Sequence, residues 1–163
     1  MDNDSDAGFR LAVDLASQNG MDETARANRA SLLEAYQDIA EGKMERFMAL
    51  LHPSVSLHQA PSLPYAMDTK GLDETLAGFE QVMVAWAKMH VTITELTAAG
   101  DLVVACMQVS ARSAATGAPY EAPCTEVFRF HDGQIFDWRP LYWDTHAVRN
   151  AFGLPATTQG APA

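Results

Sequence analysis

The dipeptide Asp132-Gly133, set between two runs of alternating apolar residues, constrains the fold of this chain more than any other feature. A two-residue type I′ turn needs positive φ at both central positions, and Asp-Gly meets that need at little steric cost. Residues 116–144 therefore predict a β-hairpin. On its first strand Tyr120, Ala122, Cys124, Glu126, Phe128 and Phe130 share a face, because successive side chains point to opposite sides of a sheet. That face is apolar and aromatic but for Glu126. A carboxyl group in such surroundings is poorly solvated, which raises its pKa. It can then act as a general acid or base near neutral pH, or donate a hydrogen bond to an oxyanion. The alternative is a structural role, with Glu126 satisfied by Arg129, Arg139 or a tyrosine.

Upstream of the hairpin the chain reads as helices first and strands after. Residues 1–7 are acidic and small and predict disorder, while Phe9, Val13 and Ala16, with Leu11 and Leu15, suggest a short helix ending near Asn19-Gly20. The first long helix spans 22–41, with Leu32, Leu33, Tyr36, Ile39 and Ala40 on one stripe and Gly42 just past its end. A shorter one over 43–51 turns Met44, Phe47, Met48 and Leu51 inward, and Pro53 stops it. Val55, Leu57 and Gln59 then alternate with Ser56 and His58 as a short strand. The stretch 60–71, with Pro61 and Pro64, is a loop long enough to be a lid or rim, and it carries Tyr65, Asp68 and Lys70. Leu72, Leu76, Phe79, Met83 and Trp86 mark a third helix. Strands are predicted over 91–97 and 102–113, the second with Ala105, Met107, Val109 and Ala111 on one face and Cys106, Gln108, Ser110 and Arg112 on the other. Asp144 is a good N-cap for a last helix holding Val148 and Phe152 and closed by Gly153. The order predicts an α+β domain over 22–153, an extension over 1–21 before it and a disordered tail over 154–163.

At 163 residues the chain is long enough for one domain with a sizeable core. Its net charge of −10 argues against a nucleic-acid or anionic-membrane partner. Cys106 and Cys124 form neither a metal cluster nor a disulfide framework and read as buried thiols. His52, His90, His131 and His146 lack metal-ligand spacing, so no metal is implied. Glycine-rich nucleotide signatures and the G-x-S-x-G elbow are also missing, and no cofactor is expected. No run approaches the roughly 18 apolar residues of a membrane span. The first ten residues lack the basic and apolar regions of a signal peptide, so a cytoplasmic protein is expected.

Three stretches carry a family resemblance: AYQDIAEGKMERFMALLHPSVSLHQAP, LDETLAGFEQVM and TGAPYEAPCTEVFRFHDGQIFDWRPLYWD. In this order the chain, over about residues 29–153, resembles the NTF2-like superfamily, above all its SnoaL-like, ketosteroid isomerase and limonene epoxide hydrolase branches. The resemblance implies a cone, in which a strongly curved, mostly antiparallel sheet wraps around three N-terminal helices, with a short C-terminal helix. It also implies a deep apolar pocket and a homodimer through the sheet's outer face, where Gln108, Ser110 and Arg112 would lie. In ketosteroid isomerases a carboxylate base ends the first strand; that position is Gln59 here, which takes no proton at neutral pH. The isomerase's second acid, a protonated carboxyl donating to the substrate oxyanion, matches Glu126. Its phenol partner falls near Ala35, with Tyr36 one position off that line. The hydrolase's Asp-Arg-Asp machinery has no counterpart. Its acid after Trp-Arg falls at Pro140 or Leu141, and its other two residues fall near Met107 and Val109. An amide that helps hold a water there matches Gln59.

Two readings of function follow. In the first, the resemblance implies cofactor-free acid–base chemistry of isomerase, cyclase or dehydratase type on an apolar polyketide-, steroid- or terpenoid-like molecule. Glu126 is then the acid or base, and Gln59 and a tyrosine (Tyr65, Tyr120 or Tyr142) orient the substrate. His58 is a further catalytic candidate because histidine titrates near neutrality, although it alternates away from Gln59. The expected pocket wall is Tyr36, Leu57, Trp86, Met107 and Val109, continued by Tyr120, Cys124, Phe128, Trp138 and Tyr142. In the second reading the domain binds a ligand or dimerises without catalysis, since one fold hosts unrelated functions.

Overall fold

The computed structural model describes residues 21–155. The short helix expected around Phe9–Ser17 and the tail from residue 156 lie outside them.

Helix α1 runs Glu23–Ala40 and begins where the Asp22 side chain accepts a hydrogen bond from the Ala25 amide at 2.7 Å. Gly42, at φ +80°, ends it, its amide and that of Lys43 returning to the carbonyls of Ile39 and Asp38. Only glycine reaches such a φ freely, and the turn satisfies carbonyls the helix leaves open. The buried face is Ala25, Asn28, Leu32 and Ala35, with Leu33 half-buried and Ala40 exposed, so the stripe is rotated from the predicted one. The two buried alanines are the physical reason, because they let the helix lie close against the sheet.

Helix α2 (Glu45–Leu50) buries Phe47 and passes directly into strand β1 (Leu51–Leu57). The strand thus starts four residues earlier than expected and includes Pro53. A proline is tolerated there because β1 is an edge strand, where one side needs no amide donor. Helix α3 (Leu72–Ala85) follows Gly71 and turns without a break into β2 (Trp86–Ala99). Its buried residues are Thr75, Gly78 and Val82; Met83 is 47% exposed and Trp86 belongs to the strand. The expected stripe is corrected at Met83 and Trp86 only: Leu72, Leu76 and Phe79 pack half-buried against the core, while the small residues lie deepest, where a Cβ on Gly78 would meet the Met67 sulfur at 2.4 Å.

Strands β3 (Leu102–Ser113), β4 (Pro119–His131) and β5 (Gln134–Tyr142) complete a curved five-stranded sheet in the order β1-β5-β4-β3-β2. All pairs are antiparallel except β1 with β5. Asp132 (φ +49°) and Gly133 (φ +77°) make the β4–β5 turn, as predicted. Register shifts in β2 and β4 mark irregularities that sharpen the bend of a sheet. Helix α4 (Thr145–Ala151) starts where the Asp144 carboxylate accepts from the Ala147 amide at 2.8 Å, and buries Val148. The core fills the concave side, where Trp138 meets Phe47 and Phe79 with ring centroids 5.3 and 5.5 Å away and stacks on Phe128. No described helix is long and apolar enough to cross a membrane.

Candidate functional site

Glu126 stands on the concave face of β4, opposite Ala105 on β3 and Pro140 on β5. Its two oxygens have separate partners: the Tyr36 hydroxyl donates to Oε2 at 2.7 Å, and the Trp138 indole donates to Oε1 at 3.2 Å. Neither arginine considered from the sequence reaches it, since Arg129 pairs with Asp101 at 2.9 Å and Arg139 with Asp137 at 2.7 Å. Burial pushes the Glu126 pKa above the ordinary carboxylate value, while the two donors pull the other way without cancelling the rise. Burial, and then the charge of Glu126 and its hydrogen bond, hold Tyr36 well above its usual range, so its phenol stays protonated. The neighbouring Cys124 thiol is pushed up to about 12, first by burial and then by Glu126. Glu126 and Tyr36 are both half-buried as residues, with protein packed closely around the carboxyl.

Further along the same face lies an aromatic wall. The Trp86 indole donates to the Tyr65 hydroxyl at 3.3 Å, and the Tyr65 ring lies 6.3 Å from that of Tyr142. Trp86 also meets Tyr120 at 5.5 Å and Phe152, just past α4, at 4.8 Å. Burial raises the pKa of Tyr65, Tyr120 and Tyr142, so these phenols are neutral hydrogen-bonding groups at physiological pH. The loop 60–71, α4 and the start of β2 thus converge on one end of the cone.

Residues 32–138 match the model of the SnoaL-like domain family. This chain belongs to that family. Solved structures agree on the fold of the SnoaL-like domain. An NTF2-like protein of unknown function from Burkholderia pseudomallei is 20% identical over 77% of this chain and 97% of its own, with a TM-score of 0.70. A candidate SnoaL-like polyketide cyclase from Jannaschia sp. CCS1 is 16% identical over 84% of this chain and 99% of its own, with a TM-score of 0.71. A protein of ketosteroid isomerase-like fold from Catenulispora acidiphila, solved with trimethylamine, is 18% identical over 68% of this chain and 82% of its own, with a TM-score of 0.57. No curated protein matches the sequence.

The remaining candidates of this SnoaL-like domain divide by face. Leu57, Met107, Val109 and Phe128 are buried on the concave side. Gln59 is buried too, its amide nitrogen on the backbone bonding the Met67 carbonyl at 2.9 Å. Extending the Leu57–Trp138 pair puts Gln59 beside Pro140 and so two strands from Glu126. His58 points away from this interior. Its Nδ1 contacts Asp68 of the loop and its Nε2 lies 3.0 Å from Asp137, so it clasps the loop to β5. Burial alone would raise the Asp137 pKa, but Arg139 and then His58 outweigh it and hold this carboxyl low. Among the described residues no group of three or more His, Cys, Asp or Glu side chains is placed to hold a metal. Two surface hollows, of about 560 and 590 Å³, lie on the outer sheet face and beside the start of α1, and neither is lined by Glu126. The sequence placed Tyr36 and Trp138 in the pocket wall and offered a tyrosine as a partner of Glu126, but it assigned neither as the donor to the carboxyl. Strand alternation and the stripe of α1 turn both residues inward, and neither pattern specifies a hydrogen bond.

Proposed function

We propose that this SnoaL-like domain is a small-molecule enzyme that moves protons with its own side chains. The reaction is of isomerase, cyclase or dehydratase type, on a mostly apolar polyketide-, steroid- or terpenoid-like substrate. One observation carries the reading: Glu126 sits among apolar groups, held by two neutral donors and no arginine. An arginine would fix the charge and depress the pKa, whereas neutral donors orient the group and leave it able to gain and lose a proton. In this scheme the Glu126 carboxylate takes a proton from a carbon beside a carbonyl, leaving an enolate. The carboxylic acid so formed returns the proton at a second position, which restores the carboxylate and completes the cycle. Tyr36 and Trp138 hold the carboxyl plane, and Gln59 orients the substrate or a water from two strands away. The names of the polyketide cyclase candidate and the ketosteroid isomerase-like neighbour agree with the class and say nothing of the substrate.

The test is Glu126→Gln. Exchange of α-protons into D2O, followed by NMR on a panel of enolisable polycyclic ketones, should fall by about two to four orders of magnitude, the usual worth of a general acid–base group. Unchanged exchange in a folded variant ends the assignment. The second reading, a ligand-binding domain without catalysis, is favoured by Gln59, an amide two residues past β1 that cannot act as a base at neutral pH. It predicts no exchange above background in the wild type and altered affinity alone in the variant.

A further inference from the structure

All four tyrosines of the chain lie in its described part. Tyr36 donates to Glu126, Tyr65 accepts from Trp86, and the ring of the half-buried Tyr142 packs 6.3 Å from that of Tyr65. The hydroxyl of Tyr120 has no partner among the described residues, although the residue is only 3% exposed. A buried hydroxyl left alone is costly, and phenylalanine would fill the same space without that cost. The group is also neutral, because burial raises its pKa, so it can both donate and accept.

Its surroundings are aromatic and apolar. Tyr120 shares the concave face of β4 with Glu126, and Cys124 and Ala122 lie between them. Trp86 flanks it at 5.5 Å and Tyr142 at 6.4 Å, both offering ring surfaces. Tyr142 is only half-buried, so accessible surface comes within one ring of the unpartnered hydroxyl. Tyr120 and Glu126 are six positions apart, about 20 Å along an extended strand before both side chains reach inward.

We propose that Tyr120 is a specificity-determining residue whose hydroxyl receives a hydrogen-bonding oxygen at the far end of an elongated, flat, aromatic ligand. The proposal rests on the reading above, because the near end of that ligand lies at Glu126 and Tyr36. The ligand class is a hydroxylated polycyclic or linked-ring aromatic, with one oxygen at each end of an apolar body. Ring faces of Trp86 and Tyr142 suit such a body, since aromatic groups pack well against one another.

Two matched pairs of probes test this: 4-hydroxybiphenyl against 4,4′-dihydroxybiphenyl, and the corresponding p-terphenyl mono-ol and diol. Binding is followed by calorimetry on wild type, Tyr120→Phe and Glu126→Gln. The wild type should prefer the diol of at least one pair by about three- to tenfold, the worth of one neutral hydrogen bond. Tyr120→Phe should lose that preference, bind the mono-ol as before, and melt at the same or a higher temperature. A preference that survives in Tyr120→Phe, a wild type with none in either pair, or a melting temperature lowered by the substitution would each overturn the proposal. The last result would assign the hydroxyl to a structural water. Failure of the underlying reading looks different, for then Glu126→Gln binds the mono-ols as the wild type does.

Discussion

Glu126 meets its two donors through different oxygens, so either can be removed alone. Tyr36→Phe deletes the donor on Oε2 and keeps the ring. That hydrogen bond favours the ionised carboxyl, so its loss should raise the Glu126 pKa further above the ordinary value. The limb of the pH–kcat/KM profile that rises as Glu126 deprotonates should therefore move to higher pH, and a carboxyl-carbon NMR titration should move with it. A limb that stays in place, or moves to lower pH, would separate Tyr36 from the chemistry. The two residues also differ in how far sequence could find them. Glu126 was legible because strand alternation has two outcomes, and its neighbours Cys124 and Phe128 decide between them. Tyr36 was read onto the inward stripe of α1, but its bond to Glu126 was not legible, because one helical position is about 100° of rotation and tertiary packing sets the zero. Buried Ala35 brings α1 close enough for the adjacent phenol to reach the carboxylate.

Short hydroxyl links join the elements at the base of the loop. The Thr69 hydroxyl accepts from the Leu57 amide at 2.9 Å and lies 2.8 Å from the Thr75 hydroxyl, which in turn points at the Val55 carbonyl. One end of the loop is thereby tied to both β1 and α3. Thr75 is wholly buried, so Thr75→Val keeps the volume and removes only the link. It should cost about 1–2 kcal/mol of unfolding free energy in urea, by stranding buried polar partners. Faster hydrogen exchange at the Thr69 amide should accompany it, and an unchanged midpoint would place the stability of the loop elsewhere. The threonine link had no sequence signature, since its partners are six and twenty residues apart. Element types were easier to read than their edges. The helices, the hairpin and the α4 cap follow from periodicity, glycine and Asp144, whereas α2 to β1 and α3 to β2 join without any turn residue. Pro53 lies beyond the end of α2, as expected. That β1 already includes it was not legible, because the cost of a strand proline depends on whether the strand is central or at an edge, which only the assembled sheet decides.

At the scale of the whole molecule the outer face of the sheet is what the fold leaves uncovered. Trp143 is 81% exposed and Leu141 55%, and Thr125 and Cys106 continue the Leu141 row across β4 and β3. Val127 and Val104 form the next row, ending at Arg139, whose charge is already matched by Asp137. A central apolar strip with a paired-charge rim is the composition of a stable interface core. We propose that a second copy of the chain covers it, the occupant that the family resemblance implies. Such a contact is isologous, so each copy brings the same strip to the two-fold axis. A stable dimer needs about 800 Å² from each partner, so the exposed Leu141 and Trp143 should both take part. The double variant Leu141→Glu with Trp143→Glu places four new carboxylates across that axis, on a chain whose net charge is already −10. It should sediment as a monomer at concentrations where the wild type sediments as a dimer, with its unfolding midpoint otherwise preserved. A wild type that is monomeric at about 100 μM would overturn the assignment, since an interface of that size holds well below such concentrations. So would a variant that remains dimeric, for two carboxylates per copy buried without partners cannot be accommodated in an apolar contact.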